Sequence, residues 1–155
     1  MIPHGVDINN LAEQLNVDGV AFTNPELAGA QEVQAPISDA LAPRHGIAVV
    51  DVVPAKAADA RDIAQELQDI TGLDTVIVQT PINVSTVSDS YARAEIEAVQ
   101  QAIPQGMDQV SLLNQFYAGI DGFSFPWGLV ALLLVATMAV AAWSSFRKSS
   151  LSLDG

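Results

Sequence analysis

Two runs of apolar, mostly β-branched residues lie near the middle of the chain. The first covers residues 47–53 and ends at Pro54, and the second covers residues 75–80 and ends at Pro81. Continuous runs of this kind are typical of strands that are buried on both faces, as in parallel sheets. The pattern therefore predicts two buried strands.

The segment between these strands has the periodicity of an amphipathic helix. Ile63, Leu67 and Ile70 fall on one side of it, and the charged residues fall on the other. Gly72 follows at a position where helices commonly end. A strand, a helix and a strand within about 35 residues predict a βαβ unit with parallel strands and a right-handed crossover.

Two further helices are predicted after the second strand. The first ends before Pro104, and a polar residue at 88–90 is placed to cap it. The apolar stripe of this helix consists of Ala92, Ile96, Val99 and Ile103. The second helix covers residues 108–120, with Leu113 and Tyr117 on its apolar side.

The region before the first strand carries shorter patterns. Asp7 is placed to cap a short helix that has Leu11 and Leu15 on its inner side. Residues 20–23 predict a strand at the edge of the sheet, and Pro36 predicts a break between helical turns. Together these elements predict a compact α/β domain with a small, mostly parallel sheet packed by helices.

The stretch from Phe123 to Phe146 is uncharged and mostly apolar, and it predicts one C-terminal transmembrane helix. A bilayer core about 30 Å thick requires roughly 20 apolar residues in a helix. A buried core helix is the alternative, which is disfavoured because such long uncharged runs are rare in small soluble domains. Proline at a helix start, Trp at the interfaces and flanking basic residues are typical of membrane anchors. The predicted anchor residues are Pro126, Trp127, Trp143, Arg147 and Lys148.

The chain thus divides into three predicted parts. These are an α/β domain over residues 1–121, a transmembrane helix over residues 122–146 and a short basic, Ser-rich tail over residues 147–155. The positive-inside rule places Arg147 and Lys148 in the cytoplasm and the domain outside the cell. The opposite arrangement, a tail-anchored protein with a cytosolic domain, stays open at this point.

Composition narrows the classes of partner and of chemistry. The chain has 18 acidic and 6 basic residues, which gives a formal net charge of −12. Because binding to phosphate backbones depends on Lys and Arg, nucleic acid is not an expected partner. The chain has no cysteine, which excludes disulfides, thiol catalysis and cysteine-based metal sites.

No strong catalytic or nucleotide-binding motif is present, and no cofactor is expected. His45, just before the first strand, is interpreted as a solvated loop residue. Asp51 and Asp89 are weak candidates for metal ligands, because ligands of open α/β sheets bind beyond the carboxyl ends of the strands. Local pairing of Asp51 is the favoured interpretation, so no metal site is predicted.

Partner binding is predicted for the loop at 80–91 and for the charged face of the crossover helix. A loop that follows a parallel strand often carries function, although packing of this loop onto the core is the alternative. The charged face is suited to a basic partner. The candidate contact residues are Pro81, Ile82, Val84, Val87, Tyr91, Asp62, Glu66 and Asp69.

Several segments resemble small single-pass membrane proteins of actinobacteria. These segments are Ile2–Ile8, Arg61–Leu67, Thr71–Val78, Val87–Asp89, Arg93–Ala98 and Gly122–Trp127. The part before the apolar run is similar to TPM-type domains, which are compact α/β domains that often face the cell envelope. The actinobacterial group is commonly encoded beside NlpC/P60 peptidoglycan hydrolases and a MoxR-type ATPase, which implies a role in cell-wall remodelling or cell separation.

The expected function is therefore a non-catalytic, membrane-anchored interaction domain that binds, positions or regulates a cell-wall hydrolase of the NlpC/P60 type. Attachment to the membrane raises the local concentration of such a domain near its partner. Two alternatives stay open. One is a metal-dependent, phosphatase-like hydrolase of the TPM type that uses Asp51, and the other is a cytosolic tail-anchored adaptor for the MoxR-type ATPase.

Overall fold

Helices and strands alternate through most of the chain, as the computed structural model shows for residues 1–122 and 127–151. Side chains of the last helix are described from Ala131 to Arg147. The helices are α1 (Ile8–Asp18), α2 (Gln31–Ala40), α3 (Ala57–Thr71), α4 (Arg93–Gln101), α5 (Gln109–Gly122) and α6 (Trp127–Leu151). The strands are β1 (Val20–Phe22), β2 (His45–Val49), β3 (Thr75–Gln79) and β4 (Val84–Ser88). The predicted α/β architecture of the N-terminal part is confirmed.

The four strands form one mixed sheet in the order β1-β2-β3-β4. β1 pairs with β2 and β2 with β3 in parallel, which confirms the predicted edge strand and the predicted βαβ unit around α3. β4 pairs with β3 in the antiparallel sense. The predicted loop at 80–91 is therefore wrong over residues 84–88, because the chain turns back at 81–83 and adds a strand.

Helices cover both faces of the sheet and create two apolar cores. In the first core, α1 and α3 pack against Val76 and Val78; in the second core, α2, α4 and α5 pack against Ile47 and Ile77, and Phe116 of α5 is buried there. Each connection, through α2 and then through α3, moves the chain one strand further across the sheet in the same direction. The two helices nevertheless lie on opposite faces of the sheet. The two crossovers therefore have opposite hands, and only one of them follows the right-handed rule.

Local side chains determine where several helices begin and end. Asp7 accepts the N–H of Asn10 at the start of α1, as predicted. Gly72 has a φ of 69° and ends α3, also as predicted. The predicted cap of α4 at residues 88–90 is wrong, because α4 begins after Ala92, whose N–H binds the carboxylate of Glu95 at 3.0 Å.

Pro36 and Ile70 differ from the predictions. Pro36 lies inside α2 rather than at a break, because burial of Gln34 and Ile37 stabilises the helix despite one missing N–H donor. Ile70 is exposed on the last turn of α3, and the sheet-facing side of that helix is formed chiefly by Ile63 and Leu67.

The C-terminal apolar segment forms α6, and the chain divides into two compact units, Met1–Gly122 and Phe123–Gly155. Within the described ranges, no helix has both the length and the apolar character needed to cross a membrane. The prediction of a C-terminal transmembrane helix is therefore wrong.

Close packing of α5 against α4 at Gly119 provides a test of the second core. A Cβ at Gly119 would lie 2.8 Å from Val99 Cγ1, which is closer than side chains pack. We expect Gly119→Ala to lower the free energy of unfolding by about 1 kcal/mol, because overpacking outweighs the gain in helix propensity. In a Val99→Ala background the same change should raise that free energy. Urea denaturation of the four variants would contradict this packing if Gly119→Ala had the same effect in both backgrounds.

Candidate functional site

The turn between β3 and β4 presents two of the predicted contact residues. Pro81 and Ile82 are exposed at this turn, with Ile82 at 38% exposure. The structure places Val84 and Tyr91 partly buried in the second core, and Val87 is buried in the first. Of the five predicted contact residues in the 80–91 segment, the two at the turn are therefore the most accessible.

Hydrogen bonds hold this turn from three sides. Thr80 Oγ1 donates to Asn83 Oδ1 at 2.6 Å. Asn83 Nδ2 donates to the carbonyl of Ala57 at 3.3 Å, which joins the turn to the start of α3. Gln105 Nε2 donates to the carbonyl of Ile82 at 2.8 Å. The turn is thus fixed in position, so that ordering it costs little on binding.

α3 begins beside this turn and carries three exposed acidic residues further along its length. Asp62, Glu66 and Asp69 are all exposed on the solvent side of the helix. Asp62 pairs with the amino group of Met1, and Asp69 accepts a hydrogen bond of 2.9 Å from Gln65 Nε2. We refer to Pro81, Ile82, Asp62, Glu66 and Asp69 together as the turn–α3 surface.

A second feature is a groove of about 90 Å³ along the outer edge of β4. It is lined by Thr86 and Ser88 of β4, by Arg61 of α3, and by Arg93 and Gln100 of α4. Thr86 is 6% exposed, and its Oγ1 has no hydrogen-bond partner among the described residues. A buried hydroxyl without a partner is unfavourable, and few native proteins keep one without a reason.

The two weak metal candidates lie at opposite ends of the sheet. Asp51 follows β2, at the end of the sheet where Gln79 pairs with Val84. Asp89 follows β4, at the end where Thr75 pairs with Ser88. Five residues of strand separate these ends by roughly 13 Å. Over the described ranges, no group of three His, Cys, Asp or Glu residues is placed to hold a metal ion.

His45 is a buried residue that the sequence analysis interpreted as solvated. It is 8% exposed, and its Nδ1 lies 2.8 Å from the hydroxyl of Tyr117. That hydroxyl accepts the N–H of Ala42 at 3.0 Å, so its own proton is available for Nδ1. The proton of the neutral ring then lies on Nε2, which is 3.7 Å from Asp74 Oδ2.

The electrostatics of this cluster favour neutral rings near pH 7. Burial lowers the pKa of His45 from its ordinary value, and the nearby Asp74 carboxylate opposes that change. Burial raises the pKa of Tyr117 to about 12. Because β2 begins at His45 itself, the apolar run that follows His45 was the one sequence signal for its burial.

The predicted membrane-contact residues lie partly outside the described residues. Pro126 lies outside the described residues, and so do the side chains of Trp127 and Lys148. Trp143 is 71% exposed on α6, and Arg147 is exposed near its end. Other exposed apolar side chains of α6 are those of Leu132, Leu133, Leu134, Val135, Met138 and Val140.

The buried His45 makes the stability of the fold dependent on pH. Its folded-state pKa is lowered from 6.5, so the unfolded chain binds the proton more readily below that pH. We expect the free energy of unfolding to be highest above pH 6.5 and to fall as the pH drops below it. His45→Gln should flatten this dependence, whereas His4→Gln, at an exposed position, should leave it unchanged. Urea denaturation at several pH values would contradict the account if His45→Gln kept the wild-type slope.

Comparison with known proteins assigns the chain to a family. Residues 1–151 match the family described as membrane protein Rv1476. No curated protein and no solved structure matches the chain. The match confirms the expectation of a membrane-protein family. Because it covers well over half of the sequence, the chain belongs to the membrane protein Rv1476 family.

Proposed function

We propose that this protein is a non-catalytic, membrane-attached interaction domain that binds and regulates a peptidoglycan hydrolase of the NlpC/P60 type. The observation that carries the proposal is the turn–α3 surface. It combines an exposed apolar side chain on a fixed turn with three exposed carboxylates on the adjoining helix. A central apolar contact beside charged groups is a common arrangement of protein interfaces.

Electrostatics favour a partner with a basic contact face. The chain carries a net charge of −12, and the turn–α3 surface concentrates part of that charge. Opposite charge on the partner would speed association and orient the two proteins. Such a contact weakens as ionic strength rises, because salt screens exposed charges.

The choice of a wall hydrolase draws on the resemblance described above. Several segments resemble actinobacterial membrane proteins, and that group is commonly encoded beside NlpC/P60 hydrolases. The similarity to envelope-facing TPM-type domains points in the same direction. Contact with a wall enzyme requires residues 1–122 to lie on the outer side of the membrane.

We further propose that α6 is the part of the chain that contacts lipid. Its described residues from Ala131 to Trp143 are apolar except for Thr137, and they are exposed on all sides of the helix. Exposed apolar side chains are favoured in contact with lipid rather than with water. Membership of a membrane-protein family supports this assignment. Lipid contact would then hold the turn–α3 surface near membrane-bound partners.

Charge reversal on α3 tests the partner proposal. We expect Glu66→Lys combined with Asp69→Lys to weaken binding of the full chain to a purified NlpC/P60 hydrolase about tenfold, because two favourable charge contacts become repulsive. The effect should shrink when salt is raised from about 50 to about 300 mM. Biolayer interferometry with the immobilised hydrolase measures both quantities.

The matched control reverses two exposed acidic residues elsewhere, Glu13→Lys and Glu32→Lys, with the same change in net charge. Its binding should stay close to that of the wild type. Absence of hydrolase binding by the wild-type chain, or equal weakening by the two double variants, would contradict the proposed contact surface.

Apolar exposure on α6 predicts binding to lipid vesicles. We expect the full chain to float with phosphatidylcholine vesicles in a density gradient. Leu133→Glu combined with Val140→Glu should lower the floating fraction at least about tenfold, because each lost apolar contact removes about 1.5–3 kcal/mol.

Ser144→Glu combined with Ser145→Glu adds the same charge on the same helix and serves as the control. The change should be smaller, because serine side chains contribute little apolar area. Failure of the wild-type chain to float, or equal losses in the two double variants, would exclude α6 as the lipid-contacting element.

A further inference from the structure

We propose that the outer edge of β4 binds an extended peptide segment that carries a carboxylate side chain. The segment would add a strand to the sheet and direct its carboxylate to Arg61 and Arg93. This inference deepens the proposed function and rests on it, because it supplies a second contact for the same protein partner.

The main chain of β4 directs alternate polar groups toward the outer edge of the sheet. The N–H of Thr80 binds the carbonyl of Asn83, and the N–H of Asp89 binds the carbonyl of Asp74, at the two ends of the β3–β4 ladder. Asn83, Asp89 and every second residue between them therefore form main-chain hydrogen bonds with β3. The alternate residues, Val84, Thr86 and Ser88, direct their N–H and C=O groups outward, and β4 is the last strand on that side of the sheet.

The side chain of Gln100 already forms a hydrogen bond with the outward main chain of β4. Its side-chain Oε1 receives the outward N–H of Thr86 at 3.1 Å, so an amide oxygen occupies the place that a strand carbonyl would take. A peptide carbonyl can replace this side-chain amide without a change in bonding type. Main-chain pairing of this kind provides affinity in many peptide-binding domains.

Thr86 supplies a second, independent observation. Thr86 lines the groove, and its buried Oγ1 has no hydrogen-bond partner among the described residues. The free protein keeps this unfavourable group, whereas a bound segment with a polar group opposite Thr86 would satisfy it. The hydroxyl therefore indicates a ligand that brings hydrogen-bonding atoms to the groove.

Charge determines the chemistry of the segment. Arg61 and Arg93 line the groove and are two of the six basic residues in the chain. Arg93 forms a 2.7 Å contact with Glu97, which also lines the groove, but both side chains are exposed, and such pairs exchange partners at little cost. The other, mostly acidic surfaces of the domain repel a carboxylate, whereas the two arginines of the groove attract it.

A second copy of this chain fits the groove less well. Its own edge strand has the sequence Val84-Ser85-Thr86-Val87-Ser88, which contains no carboxylate for Arg61 or Arg93. Two copies that each carry a net charge of −12 would also repel one another. The observations therefore favour an acidic segment of a different protein.

The test uses the full chain in neutral detergent and a fluorescein-labelled probe peptide, Thr-Val-Glu-Val-Thr-Val with an amidated end. Fluorescence anisotropy should show saturable binding of this peptide. A peptide with Lys in place of Glu should bind at least about tenfold more weakly, and a peptide N-methylated at alternate residues should not bind.

Matched variants locate the site. Arg61→Gln and Arg93→Gln should each weaken binding of the Glu peptide about fivefold, whereas Lys56→Gln, which removes an equal charge outside the groove, should not change it. Thr86→Val should weaken peptide binding while it raises the thermal stability of the free protein, because it removes the buried hydroxyl without a partner.

Three results would overturn the inference. They are no saturable binding of the Glu peptide, equal binding of the Lys peptide, or self-association of the chain that protects the amides of β4. The hydrolase assay separates this inference from the proposed function. Hydrolase binding without peptide binding would refute the groove alone, and peptide binding without hydrolase binding would refute the proposed function.

Discussion

Burial of the two central strands is the constraint on which the rest of the domain depends. All five residues of β2 and all five of β3 are buried, so helices must cover both faces of the sheet. α1 and α3 cover one face, and α2, α4 and α5 cover the other. With both faces occupied, the surfaces left for a partner are the turns, the outer sides of the helices and the strand edges.

The sequence predicts those parts of the fold that local patterns determine. The β-branched runs of β2 and β3, the amphipathic α3 and the cap residues Asp7 and Gly72 all lie where the patterns indicate. β4 was missed, because its mixture of two valines with three small polar residues also suits a loop, and its strand conformation depends on pairing with β3. The predicted transmembrane helix relied on run length and on its flanking Pro, Trp and basic residues, and the described residues do not support it.

The candidate site was predictable to a smaller extent. Exposure of Ile82 and of the α3 carboxylates follows from a turn signal and from helical periodicity. The contacts of His45 with Tyr117 and of Thr86 with Gln100 join residues that are 72 and 14 positions apart. No local pattern encodes such contacts, because they arise when separate elements pack on a common sheet.

Hydrogen–deuterium exchange of the full chain, with and without a purified NlpC/P60 hydrolase, tests whether the turn–α3 surface and the edge of β4 form the proposed contact. We predict added protection at residues 80–88 and little change at α1 and α2, which lie elsewhere on the sheet. Unchanged exchange at residues 80–88 in a complex shown to form would contradict the account.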